Sequence, residues 1–167
     1  MAPPLILTLA LSPADQERFD ALRRQHFPPD RNFLSAHVTL FHKLPGEEQE
    51  AVLVDVRDVA SRKPYDVEVS GVRLLGHGVA LTLDSRELHT MREDLAQRWS
   101  RWLSPQDRQG FRAHLTIQNK VDSHRARALH AELSATFASY PVRAVGLDLW
   151  RYDGGPWTHL RSTSFAS

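Results

Sequence analysis

Apolar positions along the chain follow two periods. Some stretches alternate residue by residue, as a half-buried strand requires; others repeat every three to four residues, as an amphipathic helix requires. Leu5 to Leu11 is a continuous apolar run of strand length. Ser12 or Asp15 then stands where a helix cap is wanted, ahead of a helix over Ala14 to His26 with Phe19 and Leu22 on its apolar side. The "FPPD" that follows ends it, because proline cannot continue a helix. His37 to Leu44 is strand-like. Glu47 to Ser61 is helical, with Val52, Val56 and Val59 on one face, and Tyr65 to Leu75 alternates again.

From Gly78 onward the series starts afresh. Val79 to Leu83 predicts a strand, and Ser85 caps a helix over Glu87 to Trp102. "LSPQDRQG" reads as a loop, and His114 to Ile117 as a strand. A helix over Ser123 to Phe137 and a strand over Val142 to Tyr152 follow. "YDGGPW" is a turn signal, and Trp157 to Phe165 a returning hairpin strand. Each half therefore runs strand, helix, strand, helix, strand. The expectation is an α+β fold of two pseudo-symmetric lobes, about residues 1–77 and 78–167, with antiparallel sheets around a central cleft. Without a long linker the two lobes form a single domain over 1–167.

Inside that duplication lies a repeated polar pair. "HVTLFHKL" in the first half matches "HLTIQNKV" in the second, the two histidines being 77 residues apart. On a strand, residues i and i+2 share a face. His37 and Thr39 therefore point opposite to Val38 and Leu40, and His114 and Thr116 opposite to Leu115 and Ile117. The apolar alternates anchor each strand in a core, and the polar pairs face something else. Cleavage of a phosphodiester calls for such a set. One neutral imidazole takes a proton, one protonated imidazole gives one, and hydroxyls donate to the nonbridging oxygens. Two facing lobes put base and acid on opposite sides of one phosphorus.

Composition narrows the chemistry. The 167 residues hold no cysteine, which excludes disulfides, thiolate metal sites and cysteine nucleophiles. Lysine plus arginine number 21 against 20 acids, so the basic excess of a duplex-coating protein is missing. The apolar run at Leu5 lacks the positive lead-in of a signal peptide, and nothing approaches the ~20 apolar residues of a membrane span. A cytoplasmic monomer that avoids membranes is expected. No nucleoside-triphosphate loop or dinucleotide fingerprint occurs. No metal site and no cofactor is expected: His37 and His42 differ by an odd number on a strand and so face apart, and no H-E-x-x-H is present.

Further candidates flank the pairs. Arg112, two residues before His114, falls on its face and suits a phosphate. Phe41 shares the His37 face by parity, as a cleft wall or a base-stacking surface. Trp157 is placed to stack a base over the cleft. Lys43 and Lys120 each lie six residues beyond their histidine and by parity would make the cleft mouth positive.

The paired signature His37-Val38-Thr39-Leu40 and His114-Leu115-Thr116-Ile117 resembles that of the 2H phosphoesterases, the group of the 2′-5′ RNA ligases and cyclic phosphodiesterases. The likeness runs over nearly the whole chain. It includes "RAHLTI", with Ala113 where proline is common, and "GPWTHL", similar to the family's Gly-Pro-aromatic turn. The resemblance implies a bilobal fold, metal-independent action on 2′,3′-cyclic phosphates or 2′-5′ linkages, and an RNA terminus or nucleotide phosphoester as partner. His37, Thr39, His114 and Thr116 map onto the motif one by one. The alternative is an RNA-end or nucleotide binding module that keeps the cleft without turnover.

Overall fold

The computed structural model describes residues 2–166. The expected series appears in order. The first repeat is β1 (Leu5–Leu11), α1 (Pro13–His26), β2 (Val38–Leu44), α2 (Gln49–Val59) and β3 (Tyr65–Leu74). The second is β4 (Val79–Asp84), α3 (Arg86–Arg98), β5 (His114–Gln118), α5 (Ser123–Thr136) and β6 (Tyr140–Tyr152), with β7 (Trp157–Ser164) closing a hairpin. The stretch read as a loop holds one more short helix, α4 (Pro105–Arg108). Side-chain caps fix four helix starts: Ser12 accepts from the Asp15 amide, Ser85 from Leu88, Ser104 from Asp107 and Asp122 from Arg125. Each satisfies a donor that the helix itself leaves free.

Every strand pairing is antiparallel, in the order β2-β1-β6-β7 on one side and β5-β4-β3-β6 on the other. The long β6 serves both: Tyr140 to Ala144 pairs with β3, and Ala144 to Arg151 with β1. The lobes are thus not contiguous in sequence. The third strand of each repeat crosses over and pairs with the first strand of the other, β3 with β4 and β6 with β1. Neither half can complete its sheet alone.

The motif strands are the free edges of these sheets, and they meet at one pairing, Val38 with Leu115. Continuing that antiparallel register sets Thr39 opposite His114 and His37 opposite Thr116. Below the junction, Val38, Leu40, Leu115 and Ile117 are buried in one core with Phe19 of α1 and Leu88, Met91 and Leu95 of α3. Thr39 and Thr116 on the other face are half-buried. The alternation read from the sequence therefore orients both strands at the junction.

Two buried arginines brace the edges crosswise. Arg23 of α1 donates to the Thr116 carbonyl on β5 at 3.0 Å and to Asn32 Oδ1 at 3.1 Å. Arg92 of α3 donates to the Leu40 carbonyl on β2 at 3.1 Å and to the Asp107 carbonyl at 2.8 Å. Each comes from one repeat and holds the motif strand of the other. The guanidiniums lie over aromatic rings, Arg23 on Phe27 and Arg92 on Phe41.

Asp107 ties the α4 loop to β2. Its carboxylate is 1% exposed and accepts from the His42 amide, the Lys43 amide and the His42 ring. Removing it leaves two backbone donors unmatched, each costing on the order of 1–3 kcal/mol. Asp107→Ala is expected to destabilise the fold by about 3 kcal/mol and Asp107→Asn by less, because the amide keeps one acceptor oxygen. Urea unfolding of both variants checks this, and equal stability of Asp107→Ala and wild type would contradict it.

Candidate active site

His37 immediately precedes β2, and His114 opens β5. Each ring is held the same way. His37 Nδ1 lies 2.8 Å from the Ser35 carbonyl, and His114 Nδ1 lies 3.0 Å from the Arg112 carbonyl. A carbonyl only accepts, so each Nδ1 carries its hydrogen and donates it two residues back along the chain. Both Nε2 atoms are thereby left as the remaining ring nitrogens. A neutral ring offers a lone pair there and a charged ring offers a proton. Among the described residues neither threonine hydroxyl has a hydrogen-bond partner, so Thr39 and Thr116 also have donors to spare. The duplicated sequence has produced a duplicated geometry: two Nε2 positions and two hydroxyls around the β2–β5 junction.

The two imidazoles sit in unequal surroundings. Trp157, first residue of β7, packs against His37 with ring centroids 4.7 Å apart. Trp150 backs Trp157 at 6.0 Å, and its indole N–H donates to the buried Thr8 hydroxyl at 2.9 Å. Burial pushes the His37 pKa down to about 4, with Arg23, His114 and His42 adding smaller depressions and the Ser35 carbonyl opposing them. His37 is therefore neutral at pH 7 in the unliganded protein. The folded state disfavours its charged form, so stability from this site is present above the ordinary histidine pKa of about 6.5 and is lost as pH falls to about 4.

A cleft of about 550 Å³ extends from Thr39 and His114 to Arg112, Phe111, Arg92 and His42. Arg112 lines it as expected, with its side chain exposed. Trp157 lies at His37, half-buried and outside the core, where a stacking surface was anticipated.

Three parity readings fail. Phe41 is fully buried, with its ring edge against Trp99 at 5.0 Å and under Arg92, so it is neither a cleft wall nor a stacking surface. Lys43 borders a separate depression beside Trp102 and Ser104. His42, expected to face away from the site, lines the cleft with Thr39. All three follow from irregular pairing of β2 with β1. Thr39 opposes Thr8 but Phe41 opposes Leu7, so Leu40 is an extra residue and the faces exchange at Phe41 and His42; a second shift between Phe41 and Leu44 breaks the parity again at Lys43. Lys120 fails for another reason. β5 ends at Gln118, and Lys120 sits in the left-handed region (φ 65°), exposed and away from the cleft.

Sequence reasoning missed Arg23, Arg92, Asp107, Trp150 and the cleft-facing role of His42. A signal existed for the arginines. Arg23 lies four residues after Phe19 and Arg92 four after Leu88, so each is a cation on an apolar helix stripe. Among the described residues no group of three histidines or acids converges as a metal site, and no helix is long and apolar enough to cross a membrane.

Comparison with known proteins agrees with this architecture. A family model described as the 2′-5′ RNA ligase superfamily matches residues 11–156. The crystal structure of E. coli LigT complexed with 3′-AMP is 14% identical, covers 100% of both chains and superposes with a TM-score of 0.65. The TT0787 protein of Thermus thermophilus is 15% identical over 97% of each chain, with a TM-score of 0.65. A crystal structure described as a phosphoesterase is 16% identical over 99% of each chain, with a TM-score of 0.64. At these identities the likeness is one of fold. No curated protein matches the sequence.

The unequal surroundings of the two histidines give a direct test. In Trp157→Ala the His37 ring gains water on one face, so its pKa is expected to rise from about 4 toward the ordinary histidine value. Titration by ring-proton NMR in wild type and variant measures it. A His37 pKa that Trp157→Ala leaves unchanged would show that the tryptophan does not shield the ring.

Proposed function

The chain belongs to the 2′-5′ RNA ligase superfamily, and on that premise we propose that it is a metal-independent phosphodiesterase. It opens 2′,3′-cyclic phosphates, or cleaves 2′-5′ linkages, at RNA ends or nucleotides. The observation that carries this reading is the matched pair of Nδ1–H bonds to the Ser35 and Arg112 carbonyls, which leaves two Nε2 atoms free at the junction where Val38 pairs with Leu115 and the two motif threonines lie. That the similar E. coli LigT forms a complex with 3′-AMP supports a nucleotide as ligand.

His37, neutral because it is buried, is the base: its Nε2 lone pair takes a proton from water as the water oxygen attacks phosphorus. His114, in the more open cleft, is the acid. As the P–O bond to the ribose breaks, its Nε2 proton passes to the departing oxygen. The hydroxyls of Thr39 and Thr116 donate to the nonbridging oxygens, where negative charge accumulates. Protons balance over the cycle, since one enters at His37 and one leaves from His114. Trp157 stacks the base next to His37, and Arg112 adds a cation to the cleft wall. With a 5′-hydroxyl in place of water, the same step forms a bond from that oxygen to phosphorus as the ring P–O bond breaks, and so joins two ends without a nucleoside triphosphate.

Rate against pH, with chelator present, tests this mechanism. The free enzyme is expected to show a bell whose acid limb follows His37 toward pH 4, well below that of an ordinary histidine, and whose alkaline limb reports the general acid. His37→Ala and His114→Ala should each slow turnover of a 2′,3′-cyclic nucleotide by roughly 10²–10⁴-fold, and the double variant by much less than the product. Full activity in either single variant would falsify the two-histidine mechanism. Tight binding of the cyclic nucleotide by wild type without turnover would favour the binding module instead.

A further inference from the structure

His42 is not one of the four motif residues, yet the fold holds it at the cleft with unusual care. The β2 irregularity turns it to the side lined by Thr39 and His114. Its ring Nδ1 lies 3.1 Å from Asp107 Oδ1, and its own amide donates to the same carboxylate at 2.8 Å. Asp107 is fixed in turn by the Lys43 amide and by the Ser104 cap of α4. Burial alone would raise the Asp107 pKa, but these hydrogen bonds from His42 and Lys43 hold it below the ordinary carboxylate value. Asp107 is thus an anion with both oxygens engaged, and a permanent counter-charge for an imidazolium.

With Nδ1 on Asp107, the remaining polar atom of the ring is Nε2, and the His42 side chain is 40% exposed at the cleft wall. In the imidazolium form this Nε2–H is a charged donor. Arg112 and Arg73 line the same cleft, and the Gln109 amide adds a neutral donor. Among the described residues lining it the one carboxylate is Asp107, already occupied. Such a wall selects an anion. His42 stands three residues beyond Thr39, at most about 10 Å along a strand. That is the reach of one nucleotide unit from a phosphate held at the motif residues.

We propose that His42, anchored on Asp107 and assisted by Arg112, is a second phosphate subsite, which binds the phosphate one nucleotide away from the reacting one. The inference rests on the phosphodiesterase reading for the place of the first phosphate. It sharpens the substrate class to nucleotides with a flanking phosphate, such as an RNA end or a 5′-phosphorylated nucleoside cyclic phosphate, over a bare nucleoside cyclic phosphate. His42 acts here by binding and takes no part in proton transfer.

Calorimetric titration separates the two readings, because it needs no turnover. Adenosine 3′,5′-bisphosphate and adenosine 3′-monophosphate are titrated into wild type, His42→Ala and His42→Gln, each checked for an unaltered melting temperature. One charged hydrogen-bond partner should give wild type roughly a 10- to 100-fold preference for the bisphosphate. In both variants that preference should fall to a few-fold, the residue left by Arg112. Added salt should weaken the bisphosphate more than the monophosphate. Equal affinity of wild type for the two ligands, or an undiminished preference in His42→Ala, overturns the subsite. Hydrolysis of a 2′,3′-cyclic nucleotide by the same wild-type preparation reports on the phosphodiesterase separately. Turnover without a bisphosphate preference overturns the subsite alone, whereas a His42-dependent preference without turnover supports the subsite and overturns the phosphodiesterase.

Discussion

The pairing of Val38 with Leu115 is the contact on which the site depends. It joins two sheet edges that otherwise end in unpaired backbone, and its antiparallel register sets each histidine opposite the other strand's threonine. A slip of one residue in either strand would turn its polar pair into the core and expose its apolar alternates, Val38 and Leu40 or Leu115 and Ile117. The fold guards against that slip twice. The four apolar alternates are buried, and Arg23 and Arg92 hold the edge-strand carbonyls from opposite repeats. Burying a guanidinium is costly unless its donors are used, and here the donors are spent on the strands that carry the motif.

The same constraint explains why the halves are inseparable. With β3 paired to β4 and β6 to β1, each sheet contains strands of both repeats. An approximate twofold symmetry thus gathers two equivalent sets of groups at one junction. The proposed mechanism also needs the sets to differ, one imidazole neutral and the other charged. The asymmetry comes from β7, which has no counterpart in the first repeat and brings Trp157 onto His37. The duplicated frame supplies the groups, and the added hairpin makes them unequal.

Much of this was legible in the sequence because it depends on period. Strand alternation located the seven strands, and the offset between the two His-x-Thr elements exposed the duplication. What escaped depends on departures from period. Parity was carried past Leu40 to place Phe41, Lys43 and His42, but β2 shifts register against β1 at Leu40 and again before Leu44. Nothing local in "HVTLFHKL" marks that irregularity, because it arises from pairing with Leu5 to Leu9, some thirty residues earlier in the chain. Asp107 escaped because a loop acid is ordinarily solvated. Its burial follows from the cap at Ser104 and from the amides of His42 and Lys43, which no sequence window contains together.

The central claim is that His37 and His114 present their Nε2 atoms to a single phosphate. Long-range proton–nitrogen NMR of the imidazoles reads this directly. In the free protein both neutral rings should be Nδ1–H tautomers, because each donates to a carbonyl two residues back. On titration with a nucleoside 3′-phosphate, the Nε2 resonances of both rings should move together and saturate at one ligand per chain. An Nε2–H tautomer at either histidine, or a ligand that shifts one ring and leaves the other untouched, would contradict the account.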